Sequence, residues 1–410
     1  MIKLGCNTSL PSGWQWAEAG KVIDIRDGTH DSPKPVEVGI PLVTSKNLKN
    51  GKIDFSICTN ISAEDHEQIS KRSVVDDGDI LYAMIGTIGN PVIVQGDRDF
   101  SIKNVALFKF SKSQVYNRYF YHLLGSSLVT QQLEKNARGG TQKFVSLGNI
   151  RALQIPLPPL EEQKRIAAIL DKADAIRQKR KQAIDLADEF LHSVFLDMFG
   201  DPVTNPKGWE QVPLSTLSDK ILNGTTPKGG SDVYVEKGIA FLRSQNVWKK
   251  RIDLDDIVYL DDVTHAKMSK SSLKYKDILI TKTGRINTDN SSLGRAAIYY
   301  GKDDEANING HVYLVRLKPD NVHEFIEFIL TTKEYRDHIR SVCVGGIDKR
   351  QLNKNHIEEF PIICPPSSQQ QRFVKVLHQS QKVMDNYKEQ LVEAQNNFSA
   401  LTQKAFSGQL

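Results

Sequence analysis

A mixed α+β fold is predicted, with two similar globular domains separated by two long helices that pack as an antiparallel coiled coil and relate the halves as a pseudo-two-fold internal repeat. Three observations predict it. Short sequence elements recur in the same order in both halves of the chain. Each half closes on a proline pair followed by a long run of helical periodicity. The residues before each proline pair mix strand-like and helix-like patterns.

The repeat is read first, because it sets the architecture. Gly13-Trp14 returns as Gly208-Trp209, and Gly28-Thr29 as Gly224-Thr225. GIPLVTSKNLKNGKID (39–54) matches GIAFLRSQNVWKKRID (238–253). Asp79-Ile80-Leu81 returns as Asp277-Ile278-Leu279, Gly139-Gly140 as Gly345-Gly346, Pro158-Pro159 as Pro365-Pro366, and Gln163-Lys164-Arg165 as Gln370-Gln371-Arg372. The copies differ by loop insertions. They divide the chain into a globular segment 1–157, a long helix 158–200, a second globular segment 201–364 and a second long helix 365–410.

Within the globular segments, GDILYAM (78–84) and VALFKF (105–110) read as strands, as do KDILIT (276–281) and HVYLVRL (311–317). Tyr116–Leu133 and Val322–Ile339 read as helices, with aliphatic and aromatic residues three and four apart.

The long helices carry a seam. In the first, apolar or small residues fall at Ile166, Ile169, Ala173, Ile176, Ala183, Ala187, Phe190 and Val194, with Arg180 interrupting. In the second they fall at Phe373, Leu377, Ser380, Met384, Tyr387, Leu391, Ala394, Phe398 and Leu401, a heptad spacing that needs a partner helix. The other copy can supply it; separate core helices, one under each domain, are the alternative. Prolines fix both starts, Glu161 and Glu162 suit the positive end of the first helix, and Ser367 with Gln370 reads as a capping box. One continuous helix over Glu161–Phe199 would span about 58 Å.

The net charge of +5 (54 basic against 49 acidic side chains) permits a nucleic-acid partner without requiring one. Cys6, Cys58, Cys343 and Cys364 form no CxxC pair, so a zinc site is not expected and reduced thiols are. No signal-peptide core or membrane span is read, and a cytoplasmic protein without a membrane partner is expected. Phosphate-loop, HExxH and GxSxG motifs are missing: Ser70 and Glu327 stand where a second zinc-ligating histidine would follow His66 and His323. No N/D-P-P-Y/F/W run of an amino-methyltransferase is present. Together with the duplication, this favours binding over catalysis.

IPLPPLEEQKRIAAIL (155–170), its looser copy FPIICPPSSQQQRF (360–373), the ending LTQKAFSGQL (401–410), Pro11-Ser12-Gly13-Trp14 and Asn205-Pro206-Lys207-Gly208-Trp209 resemble the specificity subunits of type I restriction-modification systems. The resemblance spans almost the whole chain. It implies two target-recognition domains, each selecting one half of an asymmetric bipartite sequence in double-stranded DNA. It implies a non-enzymatic subunit that recruits two modification subunits, which methylate adenine N6, with two restriction subunits as further partners. S-adenosylmethionine, ATP and magnesium would reside on those partners, and this chain would hold no cofactor, metal or catalytic residue. Copy two departs from the family junction, with Cys364-Pro365-Pro366-Ser367-Ser368-Gln369-Gln370 in place of the acidic Leu-Glu-Glu-Gln, so equal engagement of a partner by both junctions is open.

Base edges are read mainly by Arg, Lys, Asn, Gln, Ser and Thr. Three recurring loops offer these types. The first holds Ser45, Lys46, Asn47 and Lys49, matched by Arg243, Gln245, Asn246 and Lys249. The second holds Thr87, matched by Lys282, Thr283 and Arg285. The third holds Arg138, Thr141 and Lys143, matched by Lys349 and Arg350. The basic run Arg177–Lys181 is a further candidate for phosphate or for an acidic partner. Two other functions stay open: a helical scaffold whose domains bind protein, and an enzyme with an unrecognised site built on scattered acids.

Overall fold

Strand-forming residues, rich in Val, Ile, Leu and aromatics, build the same sheets twice. In the computed structural model, which describes residues 10–136, 144–288 and 290–410, the first domain centres on a four-stranded antiparallel sheet ordered Asp24–Asp27, Val105–Lys109, Ile80–Ala83, Gly89–Ile93. The second domain repeats it as Ser218–Asn223, Val312–Leu317, Ile278–Thr281, Ala296–Ile298. A smaller sheet in each domain contains one parallel pair, Ile40–Val43 with Ser101–Ile102 and Ile239–Leu242 with Ala306–Ile308. Each domain also has a short hairpin, Leu48–Lys49 with Lys52–Ile53 and Val247–Trp248 with Arg251–Ile252. Its first strand pairs with its last, Gln15–Glu18 with Gln154–Leu157 and Gln211–Pro213 with Pro361–Ile363.

Strand periodicity of two makes each main sheet the middle of three layers. On one face Ile80, Tyr82, Ala106 and Phe108 pack with helical residues such as Tyr119, Ile166 and Phe406. On the other, Leu81, Ala83, Val105 and Leu107 pack with Val43, Leu48 and Ile102 of the smaller sheet and hairpin. The second domain does the same with Ile278, Ile280, Tyr313 and Val315 against Leu279, Val312 and Leu314. The long helices therefore cover one face of each sheet, and the smaller sheet and hairpin cover the other.

The repeated Asp79 and Asp277 have a shared task. Lys109 Nζ lies 2.7 Å from Asp79 and donates to the Val74 carbonyl; at the equivalent strand position Arg316 lies 2.7 Å from Asp277 and donates to the Ser272 carbonyl. The repeated Gly28 and Gly224 are also explained: a Cβ on either would collide with the carbonyl of Ile102 or of Ile308, so only glycine permits that backbone approach.

The two expected shorter helices are each broken. Asn117–Leu124 ends at Gly125, and Ser127–Asn136 begins anew. His323–Thr331 ends at Thr332, whose extended backbone and hydroxyl cap Lys333–Val342 through the Tyr335 N–H. A capping side chain inside an apolar period stops a helix that periodicity alone would continue.

The long helices run over Leu160–Phe199 and Ser367–Phe406, 40 residues each. The chain divides into two compact units: residues up to Gln182 with Tyr387–Leu410, and Ala183–Asn386. Each unit takes one part of both helices, and within each the parts pack antiparallel. In the first, Ile166 and the half-buried Ile169 lie at the start of helix one, and Leu391, Phe398 and Leu401 line the later part of helix two. In the second, Val194 and Phe195 meet Phe373 and Leu377, with Phe195 and Phe373 ring centroids 5.3 Å apart; Met384 is buried too.

Two seam positions need correction. Ile176 is 53% exposed and Phe190 59% exposed. The arginines take seam positions instead: Arg177 stacks on Phe398 at 4.9 Å and Arg180 on Tyr387 at 5.7 Å, burying their stems while their charged heads reach the edge. The basic run is thus split, with Arg177 and Arg180 engaged between helices and Gln178, Lys179 and Lys181 exposed. The capping box also gives way. Gln370 donates to the Pro365 carbonyl at 2.7 Å, as Gln163 does to Pro158 at 2.9 Å, so the repeated glutamine ties each helix back to its proline pair. Among the described residues, no helix is long and apolar enough to cross a membrane.

Candidate nucleic-acid interface

The first candidate loop is a one-turn bend between a strand of the smaller sheet and the hairpin. Its asparagine builds it. Asn47 is 2% exposed; its Oδ1 accepts from the Thr44 N–H at 2.8 Å and its Nδ2 donates to the Asp54 carbonyl at 3.0 Å. Asn246, 1% exposed, repeats this, accepting from the Arg243 N–H at 2.9 Å and donating to the Asp253 carbonyl at 3.0 Å. Both were expected to read bases. Burial and full hydrogen bonding make them loop fasteners, and that expectation is corrected.

Fastening leaves the neighbours free to face outward. In the first domain Ser45, Lys46 and Lys49 line a cleft of about 920 Å³ with Thr87 of the second loop, so the two loops converge. Lys46, Lys49 and Thr87 are exposed; Lys49 approaches Asp54 at 3.7 Å. Lys103 and Asn104 join the same cleft, although the sequence did not single them out. Arg138, Thr141 and Lys143 lie outside the described residues.

In the second domain Gln245 and Arg285 share a cleft of about 350 Å³, again joining first and second loops. Gln245 donates to Asp256 at 2.6 Å, and Arg243 pairs with the same carboxylate at 3.0 Å. Those contacts hold Asp256 below the usual carboxylate range. Lys249 turns to Asp188 of the first long helix, 3.9 Å away, and is not in the cleft. The second and third loops merge into one ribbon: Thr283–Arg285 pairs with Lys349–Gln351, which pairs with Val344–Gly345. Arg285 and Lys349 sit side by side on it and are exposed. Thr283 is half-buried, Lys282 lies over the Tyr313 ring at 6.0 Å, and Arg350 is spent on the hairpin, donating to the Gly346 carbonyl at 3.0 Å.

Sequence reasoning missed Trp248, Arg251 and Arg295. Arg295 packs over the Trp248 indole at 3.9 Å and Arg251 over it at 5.3 Å. The run Trp248-Lys249-Lys250-Arg251, an aromatic beside basic residues, was the available signal. Strand pairing sets Asn90 at the place of Arg295, and hairpin pairing sets Lys49 at the place of Trp248.

Two copies of one domain, each with fastened loops converging on an open cleft, call for a family built of such pairs. The model of the type I restriction modification DNA specificity domain matches residues 11–186 and again 206–395. The chain belongs to that family. Similarity to other type I specificity proteins runs nearly end to end. The StySPI specificity subunit of Salmonella potsdam is 22% identical over 431 residues, covering 98% of this chain and 90% of its own. The EcoKI specificity subunit of Escherichia coli K12 is 21% identical over 430 residues, with the same coverage of 98% and 90%. Two solved structures share the fold. The type I restriction-modification S subunit from M. genitalium superposes with a TM-score of 0.52 at 16% identity, over 99% of this chain and 98% of that one. A chain from a study of complex assembly and conformational transition in the type I R-M system gives 0.54 at 19% identity, over 98% and 100%.

Proposed function

We propose that this type I specificity-family protein is the sequence-reading, non-catalytic subunit of a restriction-modification complex, and that each domain reads one half of an asymmetric bipartite target in double-stranded DNA. One observation carries the reading. Equivalent positions on similar scaffolds hold different side chains: Lys46 against Gln245, Lys49 against Trp248, Asn90 against Arg295. A shared frame with different readers suits two different half-sites on one duplex.

In this reading two modification subunits, and restriction subunits beyond them, dock on the long helices, which leave Ile176, Leu186, Phe190, Val383 and Val392 exposed. S-adenosylmethionine, ATP and magnesium belong to those partners. The unread run between the half-sites is set by the helices rather than by the loops.

The test is co-expression with the modification subunits, followed by mapping of methylated adenines by single-molecule sequencing. A bipartite motif is expected. Replacing the first domain up to residue 157 with that of another family member should change one half of it. A chain that directs no methylation, or a swap that alters both halves, overturns the reading. A purified chain that cleaves DNA with magnesium alone would favour an enzyme instead.

A further inference from the structure

The second domain gathers guanidinium groups around one loop. Arg295, 9% exposed, lies flat on Trp248 at 3.9 Å. Its Nε donates to the Ser291 carbonyl at 3.1 Å and its Nη2 to the Asn290 carbonyl. Arg336 converges on the same loop, donating to the Leu293 carbonyl at 2.9 Å and the Ser291 carbonyl at 3.4 Å. Arg251 covers Trp248 at 5.3 Å. The nearby ion pairs are made by other arginines, Arg243 with Asp256 at 3.0 Å, Arg285 with Asp348 at 3.4 Å and Arg251 with Asp253 at 3.5 Å. Among the described residues, no carboxylate forms an ion pair with Arg295 or Arg336.

A cation taken out of water without a counter-charge is costly. Burial and the neighbouring Arg251 both pull the Arg295 guanidinium below the usual arginine range, as burial, Arg340 and Arg295 do for Arg336. Among the described residues that line the cleft with Arg295, including Ser244, Gln245, Arg285, Thr288 and Ser292, there is no carboxylate; Asp256 and Asp348 bond to Gln245 and Arg285 from outside that lining. We propose that Arg295, seated on Trp248, is the phosphate anchor of the second domain: its unspent donors hold a backbone phosphate of the duplex in this cleft. A phosphate there meets a guanidinium already oriented by Trp248 and the Ser291 carbonyl, with Arg285 and the hydroxyl residues Ser244, Thr288 and Ser292 lining the same cleft. Asn90 stands at this position in the first domain, so the two domains grip the backbone differently. The assignment rests on DNA being the partner.

The test compares the full-length wild type, Arg295→Gln and Arg295→Lys by fluorescence anisotropy on a random-sequence duplex across a salt series. Loss of one phosphate contact should reduce the slope of log affinity against log salt by about 0.9 in Arg295→Gln, while Arg295→Lys keeps it. The methylated motif, mapped with the modification subunits, should stay the same in both. An unchanged slope in Arg295→Gln, or an altered half-motif, overturns the anchor and in the second case makes Arg295 a base reader. If Arg295→Gln does not fold, Trp248 reports instead. Its emission, taken as the difference between wild type and Trp248→Phe, should shift when the duplex is added, and an unmoved emission overturns the proposal. A wild type that binds no duplex at any salt removes the DNA reading itself. Binding with an unaltered slope in the variant removes only the anchor.

Discussion

A carboxamide buried with its hydrogen bonds made contributes most by where it stands, because its loss strands every partner. Asn246→Ala should therefore destabilise the second domain by about 1–3 kcal/mol, by leaving the Arg243 N–H and the Asp253 carbonyl unpaired. Lys46→Ala, at an exposed position, should change stability by less than about 0.5 kcal/mol while weakening DNA binding; urea denaturation and duplex titration separate the two effects. Glu327 gives a second prediction. Burial raises its carboxyl to about 7, against the Ile298 N–H that it accepts at 2.8 Å. A folded value above the unfolded one means that the native state holds the proton more tightly. Its contribution is then complete below the ordinary carboxylate range and is lost as pH climbs to about 7. Wild type should lose on the order of 2–3 kcal/mol relative to Glu327→Gln between pH 5 and 8, read from thermal midpoints at each pH. Lys250, lowered to about 8 by burial and Lys249, acts above that window, adding stability as pH rises from 8 toward the usual lysine value. Parallel curves for wild type and Glu327→Gln between pH 5 and 8 would show that the carboxyl titrates normally.

Secondary-structure elements were legible where one rule governed them. The main-sheet strands followed from alternating apolar runs, since Ile80 and Leu81 must face opposite layers. The long helices followed from proline starts and three-to-four spacing. The seam's details did not follow, because hydropathy ranks Ile176 and Phe190 above Arg177 and Arg180, yet it is the arginine planes that stack on aromatic rings of the other helix. The interface was half legible for a similar reason. Residue type located the loops, but Asn47 and Asn246 serve the backbone, and Arg295 draws its meaning from Trp248, distant in sequence. What the helices leave outside is itself testable. Leu186 and Phe190 lie one turn apart, 62% and 59% exposed, and are not among the residues that make the second domain's core. Leu186→Asp with Phe190→Asp should leave the thermal midpoint of the isolated chain within the small range of surface substitutions. The same pair should abolish co-elution with the modification subunit on size-exclusion chromatography. Intact co-elution would show that this face is not the docking surface.

At the scale of the whole chain, the two units tie a helix end to a domain by different means. In the second unit, helix one ends at Phe199, and the chain enters the next domain through Gly200, Pro206 and Trp209, whose indole donates to the Phe199 carbonyl at 2.9 Å. In the first unit, helix two ends at Phe406. The residues after it lie against the start of the other domain, with Gly408 packed on Pro11 and Arg165 donating to the Leu410 carbonyl at 2.8 Å. Phe406 enters the first domain's core beside Tyr119, with ring centroids 5.5 Å apart. The covalent link between helix and domain in one unit has as its counterpart in the other the contact of Gly408 and Leu410 with Pro11 and Arg165. That contact predicts that the chain tolerates being opened between the first long helix and the second domain. A circular permutant joining Leu410 to the segment before Pro11 by a short Gly/Ser linker, and opened between Asp201 and Asn205, should keep both sheets, both clefts and both helix pairings. Opening there gives up the turn in which Asp201 accepts from the Val203 N–H at 2.7 Å, an exposed-loop cost of about 1 kcal/mol. Linker closure offsets part of it by restricting the unfolded chain. The permutant should fold with a midpoint within a few degrees of wild type and direct methylation to the same bipartite motif. If it folds but reads an altered half-site, the covalent junction at Gly200–Trp209 orients the second domain's readers, and contact at Pro11 is no substitute for it.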